Sequence, residues 1–480
     1  MTTSTLFLGS CCSLDGGQQA SALHVPPHHL ATHAVVVGMT GSGKTGLLTV
    51  MVEEALRERV PVLMIDVKGD LPNLLLAFPS FASSLIEPWV EPAPADTRST
   101  AEIAAAFAAE REHGLTAWGL SEPELRTFAE TTHVRVITPG STAGEPLHVL
   151  SSLEHPVSDW TKDPEAARAS LSAAVSLLLR LLGRDADPAS SRDHVLLSVL
   201  AERRLRAGAP SDLASLLEDL AQPPIDRIGA LAMDKFLPKR ERAALAAALN
   251  TLLASPTFAT WRTGTRLDIN SWLTAKDGRT PAVIVSVAHL DDDERALVLG
   301  VLLEELLTWV RGLSGSKRLR ALVVFDEVYG FLPPHPANPP TKRPLVSLMK
   351  QARAFGVGVV IATQNPMDLD YRALGNAGMW CVGRLQTDAD RARVLEGLCS
   401  ATDGGGSGGR DGDGTTLGEL SDITKRLAPR WFLMRDVHSR SGTVLMQPRW
   451  AMTFMRGPMT GTEVRRARGG QSAQNATNAL

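Results

Sequence analysis

Two periodicities alternate along the chain. Short, almost wholly apolar runs with β-branched residues stand at AVVVG (34–38), VPVLMID (60–66), AVIVSVAHL (282–290), RALVVFDE (320–327) and GVGVVIATQ (356–364). Runs of this length, bounded by turn residues, predict strands buried on both faces. VRVIT (134–138) and MWCVGRL (379–385) predict weaker strands, and WFLMRDV (431–437) with TVLMQPRW (443–450) a closing hairpin. Between them lie stretches at helical spacing. One follows the first run to about Arg59, another is ERALVLGVLLEELLTWV, and others span 345–356 and start at Thr387. Asp291 and Glu294 have the spacing of a capping box before the second of these. The alternation predicts an α/β fold around a mostly parallel sheet.

Residues 160–265 break that alternation. They are rich in Ala, Leu and Arg at helical spacing, with breaks at Gly183, Pro188, Gly208, Pro223 and Pro256. A stretch this long exceeds an ordinary crossover and predicts an all-helical insertion of four to six helices. The expected organisation is a short N-terminal segment (1–32), the first part of the core (33–159), the insertion (160–265) and the second part of the core (266–456). A flexible Gly-rich loop (403–414) lies within the last, and a disordered basic and polar tail (457–480) follows it.

Composition narrows the class. The 480 residues are 44% hydrophobic and 21% charged, which excludes wholesale disorder. The formal net charge is −3, from 49 Lys+Arg against 52 Asp+Glu. Nucleic-acid binding therefore requires basic residues concentrated on one loop, face or pore. Four cysteines without CxxC spacing predict neither zinc nor a disulfide framework. No stretch approaches 18 uncharged apolar residues, and the N-terminus lacks a secretory pattern, so the expectation is a cytoplasmic protein without a membrane partner.

The chemistry concentrates at strand ends. Gly38-Met39-Thr40-Gly41-Ser42-Gly43-Lys44-Thr45 matches G-x-x-x-x-G-K-[ST], with an apolar strand before it and a helical pattern after it, and Gly46 joins these residues as a candidate nucleotide contact. Its backbone N–H groups are suited to curl around the phosphates of ATP. Lys44 is placed to bridge the β- and γ-phosphates, and Thr45 to put its hydroxyl on Mg²⁺. Asp326 and Glu327 end a later strand; the first suits Mg²⁺ held through water, the second a general base for the attacking water. Thr363 and Gln364 end the next strand and either sense the γ-phosphate or form a polar turn before Asn365-Pro366.

Arg353 and Arg384 are candidates for an arginine finger, or else for a helix-dipole contact or plain salt bridge. Val328 to Met367 holds four basic residues and no acid. Within it Lys342 and Arg343 either track nucleic-acid phosphates or belong to a solvated, proline-stiffened loop. Lys68 and Asp70, after VPVLMID, either contact nucleotide or a neighbouring subunit or form an ordinary turn. His33 and the nine scattered tryptophans read as packing residues.

HAVVVGMTGSGKT, VLMIDVKGDLPNLL, ALVVFDEVYGFLPP, KQARAFGVGVVIATQNPMDLD and GRLQTDADRARVLEGL, in that order, resemble the HerA–FtsK superfamily of P-loop ATPases. The resemblance covers about residues 33–456 and is nearest to bacterial HerA-like proteins of the DUF87/DUF853 kind. It implies a RecA-like P-loop NTPase fold, Mg²⁺-dependent ATP hydrolysis and a homo-oligomeric ring, hexameric in most members, that translocates double-stranded DNA. It also implies that Gly38–Thr45 is Walker A, Asp326-Glu327 Walker B, Gln364 the sensor glutamine and Arg353 the trans arginine finger, with Arg384 as a second candidate. A regulatory ATPase that gates a partner such as a nuclease, without tracking DNA, is the competing expectation. A secretion or conjugation coupling ATPase is a third.

Overall fold

The computed structural model describes residues 4–14, 20–94, 96–154, 160–161, 163–370, 374–375, 377–400, 416–439 and 441–477. The chain forms two compact units, 1–136 with 272–289 and 313–480, and 137–271 with 290–312. The Gly-rich stretch 403–414 lies outside the described residues.

The first unit is built on one eleven-stranded sheet. Its strands are β1 (Leu6–Cys12), β2 (Ser21–Val25), β3 (Ala34–Val37), β4 (Val62–Asp66), β5 (Thr132–Ile137), β6 (Thr280–Ser286), β7 (Ala321–Asp326), β8 (Val357–Thr363), β9 (Met379–Val382), β10 (Phe432–Asp436) and β11 (Thr443–Pro448). Their order is β2-β1-β11-β10-β9-β3-β8-β7-β4-β6-β5. The six strands from β9 to β6 pair in parallel. Every residue of β3, β4, β6, β7 and β8 is buried, as the unbroken apolar runs require of strands covered on both faces. Strands β2, β1, β11 and β10 extend the sheet as an antiparallel flank.

This flank departs from the expectation that 1–32 is only a short N-terminal segment. Leu6 and Leu8 alternate inward and are wholly buried. The register shifts between Phe7 and Gly9, so the period-2 signal is interrupted within seven residues and is weak in sequence. The tail also differs from its expected disorder. Gly461–Thr477 is a helix whose Val464 and Ala467 are buried in the core, with Arg466 stacked over Trp89 at 4.1 Å.

The second unit contains helices Pro164–Leu181, Arg192–Arg206, Leu213–Ala221 and Lys239–Ala254. It is not all-helical and is wider than 160–265. Two short strand pairs, Leu147–His148 with Thr265–Arg266 and Arg227–Ile228 with Leu231–Ala232, belong to it. The long helix Asp292–Arg311, expected in the core, groups here and packs on Pro164–Leu181. Its capping box forms as anticipated, with Asp291 accepting from the Glu294 amide at 2.8 Å.

Helix Lys44–Arg57, which follows the phosphate loop, is buried nearly all round. Its Glu53 and Glu54 meet Arg449, whose side chain is wholly buried, at 2.8 and 2.9 Å. Glu53 also accepts from the Met452 and Thr453 amides, and Glu54 from the Phe7 amide. Arg449 donates further to the carbonyls of Phe7 and Trp450. Removing one partner of such a buried, fully bonded set strands the others. Arg449→Ala is expected to destabilise the protein by about 3–5 kcal/mol, checked by guanidinium unfolding.

Candidate nucleotide site

Parallel strands deliver their carboxyl ends to one edge, and the predicted site residues gather there. Strand β3 ends at the phosphate loop, β8 at Thr363-Gln364 and β7 at Asp326-Glu327. Strand β8 lies between the other two. The loop is moored to both neighbouring strands: the Gly38 amide donates to Thr363 O at 3.3 Å and the Met39 amide to Arg384 O at 2.8 Å. Gly41 and Gly43 take left-handed φ values of 79° and 94°, which let the loop turn sharply into the helix. Helix Lys44–Arg57 has no side-chain cap at its start, so its first amides are free for an anion.

Lys44 is buried and donates to the carbonyls of its own loop, Gly38 and Met39. Burial, and then the nearby Lys68 charge, pull its pKa down to about 8, while Glu327 and Asp326 oppose that shift. The lysine and the acidic pair therefore share one electrostatic environment. Thr45 begins the same helix and its carbonyl accepts from Thr49.

Glu327 sits at φ 65°, a left-handed backbone that is costly outside glycine. Its Oε1 accepts from the Thr363 hydroxyl at 2.9 Å and the Gln364 amide at 3.2 Å. Its Oε2 pairs with Lys68 at 2.7 Å. Gln364 in turn accepts from the Thr40 hydroxyl at 2.8 Å, so a continuous chain of contacts runs from the acidic pair to the phosphate loop.

Asp326 is 3% exposed and its Oδ2 has no hydrogen-bond partner. Burial, then the charge of Asp66, push its pKa up to about 7. Asp66 stands in register beside it on β4 and is itself held up to about 6 by burial. The Ser286 hydroxyl and the Gly69 amide bind Asp66 at 2.7 and 2.9 Å. A buried carboxylate oxygen without a hydrogen-bond partner is a hard donor of the kind that fits Mg²⁺.

Sequence reasoning passed over Asp66 and left Lys68 between two roles. The available signal was that two strands, VLMID and VVFD, both end in aspartate. It also passed over Arg430, whose amide donates to Ser42 O at 2.9 Å and whose side chain lies against Gly43.

The arginines separate. Arg384 lies beside the loop through its carbonyl, with its side chain exposed. Arg353 is exposed in the turn before β8, at the amino edge of the sheet. The length of β8, about 20 Å, stands between it and the site of its own chain. It lies instead near His33 and His438. Of the two basic candidates, Arg343 is exposed and Lys342 pairs with Asp370 at 3.3 Å. His33 is a packing residue: it is buried, its Nδ1 accepts from the Val359 amide, and burial lowers its pKa to about 4.

Residues 15–134 match the family described as "Helicase HerA, central domain". Among solved structures the chain is similar to VirB4 of Thermoanaerobacter pseudethanolicus, at 12% identity and TM-score 0.51, over 93% of this chain and 97% of that one. The plasmid coupling protein TrwB in complex with ADP and Mg²⁺ aligns at 13% identity and TM-score 0.49, over 96% and 98%. No curated protein matches the chain. The likeness to VirB4 shows a shared fold.

The raised carboxylates have a stability signature. The folded pKa of Asp326 is about 7 against an ordinary 3.8, so between those values the folded chain holds a proton that the unfolded chain releases. Stability then falls as pH rises through that window. Asp326→Asn is expected to raise the Tm of the nucleotide-free protein by roughly 2–5 °C at pH 8 and to leave it unchanged near pH 4, checked by scanning calorimetry.

Proposed function

We propose that this chain, which belongs to the HerA–FtsK superfamily of P-loop ATPases, is an oligomeric motor that couples Mg²⁺-dependent ATP hydrolysis to movement along double-stranded DNA. The observation that carries the ATPase part is the contact chain Lys68–Glu327–Thr363/Gln364–Thr40 at one sheet edge. It joins a candidate general base to the phosphate loop through the strand between them.

In this reading the loop amides and Lys44 hold the β- and γ-phosphates. Thr45 and Asp326 would hold Mg²⁺, which supplies neutralisation of phosphate charge. Glu327 accepts the proton of the attacking water, and Thr363 and the Gln364 amide fix which carboxylate oxygen faces it. Gln364, tied to Thr40, reports the state of the loop to β8. Arg353, a strand's length from its own site, would act as a finger only on a neighbouring subunit's nucleotide. Arg384, beside the loop, is the finger candidate within the subunit. Arg343 is offered for DNA phosphates, because Lys342 is committed to Asp370.

The formal charge of −3 and the pairing of Lys342 favour a second reading, a nucleotide-switched ATPase that gates a partner protein without tracking DNA. The two differ in one measurement. A motor shows ATP hydrolysis stimulated by duplex DNA, and the stimulation falls steeply with salt. A switch hydrolyses at the same rate with or without duplex.

Glu327→Gln is expected to keep ATP affinity and lose at least about 100-fold in turnover, measured by phosphate release. Lys44→Ala is expected to lose nucleotide binding; hydrolysis at the wild-type rate in that variant removes the site assignment.

A further inference from the structure

A cavity of about 550 Å³ opens beside the first turn of helix Lys44–Arg57. Gly43 and Gly46 form its wall on the phosphate-loop side, and Arg430, Trp450, Phe107 and Phe454 line much of the rest. Its size is within the range of small-molecule sites. We propose that this cavity takes the nucleoside of the bound triphosphate, with the base against Phe107 and the Arg430–Trp450 stack. The proposal rests on the phosphate-loop assignment above and adds the residues that recognise the base.

Connectivity of the ligand points there. The phosphate loop and the first helical turn hold the phosphate chain, and the α-phosphate carries the ribose. The ribose must therefore leave past that first turn. A side-chain carbon placed on Gly46 would meet nothing within 4 Å, so the space above the turn is open.

The chemistry of the walls suits a base better than a second anion. The Arg430 guanidinium lies over the Trp450 ring at 5.2 Å, and that ring also packs against Gly114. Phe107 is 42% exposed, with its ring edge-on to Phe454 at 6.0 Å. Aromatic and guanidinium planes of this kind accept any flat π-face. The Arg430 guanidinium is itself held at one nitrogen, donating to the carbonyls of Pro448 and Arg449 at 3.3 Å, which fixes its plane over the ring, and the other arginines at the cavity are engaged away from it. Arg111 donates to the carbonyls of Ser80, Phe78 and Met452, Arg449 pairs with Glu53 and Glu54, and Arg456 pairs with Glu463. Exposed Glu91 and Glu110 stand at the cavity as acceptors for an exocyclic amine, and they repel phosphate. A nucleobase bearing an exocyclic amine, adenine among them, is the ligand class that this set fits.

Arg430 has φ 64°, and its amide holds Ser42 O. Arg430→Gly therefore removes the guanidinium while keeping a backbone that glycine adopts freely. Phe107→Ala removes an exposed ring from helix Thr100–Thr116 and provides a second, independent probe. Calorimetric titration of wild type, Lys44→Ala, Arg430→Gly and Phe107→Ala with ATP, and separately with inorganic triphosphate, tests the proposal. Arg430→Gly and Phe107→Ala are expected to lose about tenfold in ATP affinity and to bind triphosphate as wild type does. Unchanged ATP affinity in both overturns the nucleoside pocket. An equal loss for ATP and triphosphate in Arg430→Gly also overturns it, by assigning Arg430 to the phosphates. Wild-type ATP affinity in Lys44→Ala is a separate result that removes the phosphate site itself.

Discussion

The first unit depends on one buried guanidinium. Arg449 stands between Glu53 and Glu54 with no exposure to solvent, and backbone groups fill the remaining bonding positions. Burying three charges is unfavourable unless each is satisfied, so the set tolerates little displacement. Its members come from the helix behind the phosphate loop, the segment after β11 and, through Phe7, from β1. Strand β1 and the segment 449–453 are thereby fixed onto the element that positions Lys44. The network adds directional bonds to the packing that holds the helix against the sheet.

The site shows the opposite economy. Asp66 and Asp326 stand side by side, buried, with raised pKa values, while Lys44 is pulled down to about 8. Positive and negative groups are gathered there without full mutual compensation, and one oxygen of Asp326 has no partner. Perturbed groups of this kind concentrate where a charged ligand completes the balance. Glu327, by contrast, is well bonded, and its left-handed backbone turns its carboxylate towards Thr363 and Lys68. Glu327 is thus held at both carboxylate oxygens, and one oxygen of Asp326 is left open.

Most of the sheet core was legible because each strand carries its own signal. AVVVG, VLMID, VVFD and GVGVVIATQ are buried on both faces, and that alone makes them unbroken apolar runs. The phosphate loop was legible because all its parts are local. What escaped depends on partners distant in sequence. Lys68 acquires a role only when β4 and β7 lie side by side. Arg430 approaches Gly43 from almost 390 positions downstream. Strand β1 hides behind a register shift, and the terminal helix carries Gly469 and Gly470 and few apolar residues, so its burial of Val464 is a tertiary outcome. The insertion was misjudged in extent for a similar reason: helix Asp292–Arg311 is contiguous with the core in sequence and packs with Pro164–Leu181.

The backbone of the phosphate loop is anchored at three points: to Thr363, to Arg384 and to Arg430. These belong to segments that follow it by more than 300 residues and lead into different parts of the sheet. A single short loop thus carries backbone bonds to the central strand, to the end of the last parallel strand and to the start of the antiparallel margin, which ties the width of the sheet to one point.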